Sequence, residues 1–195
     1  MTGANPHASL RLEGERLARL SFVGEGLQFA PPGAGPDEGL RFSTLAVHVR
    51  PDARNDADWQ VAVQGAGVSL SAPVRGFESL GQGLDTLNLG VVFTKAEALT
   101  SADAPDPLAL WRQAGGEARF ETAEITWGPA QATALGTVRL DAQARLEGTL
   151  DVRLEDARAF LASIAGGGDD PFTSLLAGAL DISVVTLTAQ GGTLF

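Results

Sequence analysis

From Ala118 to Leu154 the chain reads ARFETAEITWGPAQATALGTVRLDAQARLEGTLDVRL, and few folds accept such a segment. Leu146, Gly148, Leu150, Val152 and Leu154 alternate with Arg145, Glu147, Thr149, Asp151 and Arg153. A period of two puts successive side chains on opposite faces of a strand, so one face is apolar and the other charged. Val138 and Leu140 alternate with Thr137, Arg139 and Asp141 in the same way. Trp127-Gly128-Pro129 separates this strand from an earlier one, and Asp141-Ala142-Gln143-Ala144 from the next. Both links have the length and residue types of tight turns. The segment is therefore expected to be a three-stranded antiparallel meander with one wet side.

The remainder of the chain carries more of the same. Residues 1–8 are polar and rich in turn formers, as in a flexible N-terminus. Residues 9–195 then read as a single β-rich domain. Strands are expected over Ser9–Glu13 and Ala18–Phe29, with breaks at Gly14 and at Gly24-Glu25-Gly26. Residues 31–39 form the strongest loop signal. Leu40–Val49 is expected to be a strand, Pro51–Asp58 a polar turn, and Trp59–Val63 and Val68–Leu70 two short strands divided by Gly65-Ala66-Gly67. Leu84–Thr94 and Leu180–Thr188 complete the strands. Three short helices are expected, each with an Asp cap: one from Asp106-Pro107 to Gly115, one from Asp156 to Gly166, and one from Asp170-Pro171. With no regular strand–helix–strand rhythm, the fold class is mainly β (α+β). The expected architecture is an extended, twisted antiparallel sheet meander with about three short helices packed against it.

Composition narrows function by exclusion. The 195 residues carry 24 acidic and 14 basic side chains, a formal charge of −10. A surface of that sign repels phosphate backbones and anionic head groups, so nucleic-acid binding is not expected. There is no cysteine, hence no disulfide, thiolate metal site or thiol nucleophile. No run approaches the ~18 apolar residues that a membrane helix needs, so no membrane span is expected in this chain. No G-x-S-x-G elbow or phosphate loop is present. His7 falls in the polar terminus, and His48 on the strand face opposite Val47 and Val49, where it reads as an exposed strand residue. Asp52, Asn55, Asp56 and Asp58 make the best cluster of oxygen ligands. They miss the EF-hand spacing, with Ala57 where Gly is required, and read as a solvated turn. Glu121 and Glu124, three apart in a strand, point to opposite faces barring a bulge, so they do not pair as acid and base. Accordingly no enzyme, no cofactor and no metal site are expected.

Leu110-Trp111-Arg112, Gly115-Gly116, Ile125-Thr126-Trp127-Gly128-Pro129, Gly136-Thr137, Leu140-Asp141 and Glu147-Gly148-Thr149-Leu150 resemble the core of the bacterial domain-of-unknown-function 2125 family. The closing Leu187 and Gly191-Gly192 resemble the family's terminal segment. The resemblance is specific over residues 106–195 and weak before them. No catalytic residue comes with it. Members usually begin with a membrane-anchoring helix. The resemblance thus implies a periplasmic domain, inner-membrane-anchored in the full-length protein, or a cytoplasmic one if Met1 is the native start.

What remains is the apolar side of the sheet. It is covered by the chain itself, or it receives something else. The leading expectation is a non-catalytic envelope binding or scaffold domain that engages a protein partner through a sheet edge or this apolar face. The alternative is a carrier of a lipid or other hydrophobic ligand, lodged in a groove lined by Trp127, Leu146, Leu150, Val152 and Leu154.

Overall fold

The computed structural model describes residues 5–14, 16–30, 39–71, 80–100, 104–155 and 184–194. Ten strands follow one another along the chain: β1 His7–Glu13, β2 Arg16–Phe29, β3 Leu40–Asp52, β4 Asn55–Leu70, β5 Gly83–Phe93, β6 Glu117–Trp127, β7 Ala130–Leu140, β8 Leu146–Glu155, β9 Val184–Gln190 and the two-residue β10 Thr193–Leu194. They lie in one sheet in that same order, every neighbour antiparallel. A short helix α1, Pro107–Gln113, and a 3₁₀ turn, Ala96–Thr100, accompany the sheet among the described residues. The mainly β meander thus holds, including the three strands of the opening segment. The second and third expected helices, from Asp156 and from Asp170, lie outside the described residues.

Several expected boundaries move, each for a physical reason. β1 takes in His7, which pairs with Val23, so the polar terminus yields its last two residues to the sheet. β2 runs unbroken through Gly24-Glu25-Gly26, and β4 runs unbroken through Gly65-Ala66-Gly67. Gly26 (φ +62°) and Gly67 (φ +55°) take left-handed backbone within these strands, which glycine adopts without steric cost. The ladders on both sides of β3 skip the rung held by Gly26, Ser43 and Gly67, yet keep the same register beyond it. Across that rung the core-facing residues are three apart instead of two. Phe42 and Leu45 enter one cluster with Leu27 and Val68, while Gly24 sits beside Leu27 and Gly65 beside Phe42 and Val68. The Gly-x-Gly signals mark a corner inside long strands, not the ends of short ones.

The polar turn expected over Pro51–Asp58 shrinks to Ala53–Arg54; of the carboxylates around it Asp56 is exposed, as expected, and the other two are not. Asp52 and Asp58 are both buried. Asp52 accepts hydrogen bonds from the Arg54 amide (3.3 Å) and guanidinium (3.2 Å), with Arg119 at 3.8 Å. Asp58 accepts from the Lys95 amide at 3.0 Å, pinning the connection after β5. Burial alone would raise the Asp52 carboxyl, but the hydrogen bonds and charge of Arg54, aided by Arg119, outweigh it and hold the group below the ordinary carboxylate value. The next hairpin uses similar chemistry. Asp141 accepts from the amides of Gln143 (2.8 Å) and Arg145 (2.9 Å), closing the β7–β8 turn with its own side chain. The Arg145 amide and then its guanidinium hold Asp141 below the usual carboxylate range.

Helix α1 begins as its sequence dictates. Asp106 accepts from the Ala109 amide at 2.9 Å, and Pro107 occupies the first turn. The helix covers one end of the sheet through Trp111, which is 4% exposed and packs with Val91 and Ala118. Its indole nitrogen donates to the Thr94 carbonyl at 2.6 Å. Arg112 donates to the carbonyls of Asp141 and Ala142, tying the helix to the β7–β8 turn.

Two outcomes follow. Alanine at Gly67 takes on left-handed backbone and places its Cβ within 2.9 Å of Ser43 Cβ, so Gly67→Ala is expected to lower stability by about 1–3 kcal/mol. In denaturant unfolding, Ser43→Gly added to Gly67→Ala recovers only the steric part; full recovery would show that the backbone angle costs nothing. Asp52→Asn is expected to cost about 1–3 kcal/mol at neutral pH. Because the folded carboxyl is held low, its contribution is fully present above the unfolded value of about 4 and is lost as pH falls through the folded value. The stability gap between the native chain and Asp52→Asn, followed by thermal melts against pH, therefore stays constant near neutrality and narrows on acidification.

Candidate functional site: the apolar face of the sheet

Registers across the sheet sort the side chains into rows. One row runs Leu10, Leu20, Val49, Val61, Val91, Phe120, Gly136, Leu150, Leu187 through nine consecutive strands, with no polar member. At a strand spacing of about 4.8 Å it is roughly 38 Å long. Beside it lie Gly24, Leu45, Gly65, Leu87, Ile125, Ala132 and Leu154, again all apolar. The opposite face carries rows such as Arg50, Gln60, Val92, Arg119, Thr137, Thr149 and Thr188.

Among the described residues two clusters of buried side chains cover parts of the apolar face. One is the cluster of Leu27, Phe42, Leu45 and Val68 at the strand corner, and the other is the Trp111 cluster under α1. Between them Val47, Val61, Val63, Leu87, Leu89 and Ile125 stay half-buried, and toward β1 the face opens further. Leu10 is 62% exposed and Leu12 54%.

The four apolar residues named from β8 fall on this face. Leu150, Val152 and Leu154 are half-buried and Leu146 is 51% exposed, each alternating with a polar residue of the other face. Gly148 stands between Leu146 and Leu150 because β7 passes too close for a side chain: at φ +147° its Cβ would fall 2.8 Å from Val138 Cα. Trp127 lies at the end of β6, paired with Ala130, while the neighbouring Ala132 pairs with Leu154. The Trp127 indole donates to the Gly81 carbonyl at 3.1 Å, which fastens it to the approach to β5. The structure thus brings Trp127 near Leu154 and leaves Leu146 at the far end of β8. Two depressions in the described surface are lined by a mixture of apolar and charged groups, with Glu117, Arg139 and Glu147 in one and Glu13, Arg16 and Asp56 in the other. Neither is an enclosed apolar cavity.

Other candidates resolve differently from their sequence readings. His48 does face away from Val47 and Val49, but it is half-buried, with Nδ1 3.0 Å from Ser21 Oγ. Glu121 and Glu124 are separated by a bulge: the β5–β6 and β6–β7 registers both shift there, leaving Glu121 as the extra residue. Glu121 pairs with Arg54, and Glu124 accepts from Asn88 at 3.1 Å, so each carboxylate is held by a different partner. Asn55, from the oxygen-ligand cluster, accepts from the Ala57 amide at 3.2 Å. No helix among the described residues is long and apolar enough to cross a membrane.

No curated protein and no solved structure matches the chain. A family model does match, over residues 1–188, and so reaches on the N-terminal side well beyond residues 106–195, where the resemblance is specific. The match takes in the N-terminal strands β1–β5, where the likeness is weak by eye. By that match the chain belongs to the family described as "uncharacterized protein conserved in bacteria", domain of unknown function 2125.

Proposed function

We propose that this domain is a non-catalytic binding or scaffold module of the bacterial cell envelope, and that it engages a protein partner through its apolar face and the adjoining edge of β1. The observation that carries this reading is the unbroken apolar row from Leu10 to Leu187, half-covered along most of its length. Exposed apolar surface on that scale is characteristic of interaction sites. Among the described residues no strand pairs with the outer edge of β1, and such an edge is the usual template for strand addition. Placement in the envelope, on the periplasmic side, rests on the family resemblance.

A second reading, a carrier for a lipid or other hydrophobic ligand, is favoured by the length and continuity of the same row. Trp127, Leu150, Val152 and Leu154 would then line its β8 end, with Leu146 at the mouth. The charged groups lining these depressions favour the protein partner over an enclosed ligand.

One experiment separates the two. A photo-crosslinking residue is placed at Leu150, and separately at Thr149 on the opposite face, in the full-length protein in its bacterial host. A discrete protein adduct from position 150 and none from 149 supports the scaffold reading, and a lipid adduct from 150 supports the carrier. Equal labelling from both positions, or none, overturns the assignment of the apolar face. Leu10→Glu and Leu146→Glu, at exposed positions, are expected to change stability by no more than about 0.5 kcal/mol while removing the adduct.

A further inference from the structure

On the opposite, polar face, we propose a binding site for a phosphate-class oxyanion, formed by Arg19 on β2 and by Arg50 and His48 on the neighbouring β3. This inference is independent of the role given to the apolar face. It starts from charge. The chain holds 24 acidic against 14 basic residues, so an arginine near a carboxylate is the ordinary outcome. Arg11, Arg54, Arg119, Arg139 and Arg145 each have such a partner. Arg19 and Arg50 have no carboxylate partner among the described residues. They share a depression of about 240 Å³ with His48, Gln60 and Ala62. Its lining contains no aspartate or glutamate, whereas the two larger depressions named above contain two and three.

Both guanidiniums are held at Nε by neutral groups. Arg19 Nε donates to Ser21 Oγ at 3.1 Å, and Arg50 Nε donates to Gln60 Oε1 at 2.7 Å. Ser21 Oγ is in turn 3.0 Å from His48 Nδ1, which links the first arginine to the histidine. These contacts orient each guanidinium without neutralising it, and they leave its Nη hydrogens uncommitted. The Nη pair is the part of arginine that grips phosphate or carboxylate oxygens in a bidentate fork. Arg11 stands directly opposite Arg19 but is already paired with Glu13 at 3.2 Å, so the site rests on Arg19 and Arg50. A phosphate group fits this arrangement whether it comes from a free phosphate or from a lipid head group.

The test uses the whole chain. Inorganic phosphate is titrated while the Arg Nε–Hε and histidine ring resonances are followed by NMR. In parallel the protein is floated with phosphatidylcholine vesicles, with and without phosphatidic acid. Saturable shifts at Arg19, Arg50 and His48 place a free phosphate in the site. Flotation only with phosphatidic acid identifies a head group instead. In either case Arg19→Gln/Arg50→Gln is expected to weaken binding at least about tenfold, while Arg153→Gln, elsewhere on the polar face, leaves it unchanged. Arg19→Lys/Arg50→Lys keeps the charge but not the fork, and is expected to bind more weakly than the native chain. Absence of both signals, or equal loss in Arg153→Gln, overturns the proposal.

Discussion

The whole structure depends on cross-strand register. In a single sheet with one apolar and one polar face, a slip of one residue between two neighbours would exchange the faces of every strand beyond it. The continuity of the Leu10–Leu187 row means that nine strands agree on which side is apolar. Side-chain alternation alone does not secure that agreement, because long strands accumulate irregularities. The chain meets the difficulty by making its irregularities collective. Gly26, Ser43, Gly67 and Asp85 share one skipped rung, so the alternation changes phase together on four strands and the rows stay aligned. At the β5–β6 junction a single bulge residue, Glu121, is absorbed and tied down by Arg54.

The same logic explains the buried carboxylates. Asp52 and Asp58 sit where β3 turns into β4 and where β5 leaves the sheet. There the backbone has donors that the ladder does not use, and each aspartate accepts from one of them. Pairing with Arg54 and Arg119 then makes the charged form of Asp52 the stable one. These groups are structural parts of turns, despite their resemblance in composition to a calcium loop.

Alternation made the β6–β8 meander legible from sequence, because there polar and apolar residues trade places with few exceptions. The Asp106-Pro107 start of α1 was legible for the same kind of reason: its cap and first turn are local chemistry. Glycine signals were read correctly as departures from regular strand, but a lone chain of letters does not say whether such a departure ends a strand or bends it. Ser43 shows why. Nothing in its own neighbourhood marks the rung that it shares with Gly67, and the partnership exists only once β3 and β4 lie side by side. The apolar face was legible in the same partial sense. Leu146, Leu150, Val152 and Leu154 were identifiable as one face of one strand, whereas the nine-strand row and the arginine-lined depression opposite arise only from register.

The order of the strands has a consequence for how the molecule holds together. Among the described residues each strand pairs only with its neighbours in sequence, so the sheet is nearly one-dimensional, like a stack of repeats coupled through their interfaces. Stability in such an object is a profile and not a single number. Interior strands such as β3–β6 are supported on both sides and by the two buried clusters. β1 has a neighbour on one side only and no buried side chain. Opening therefore begins at the rim and travels inward strand by strand, and β1 at that rim is also the edge proposed above for a partner. A partner strand added there would do more than bind: it would move the end of the stack outward and make β1 an interior strand.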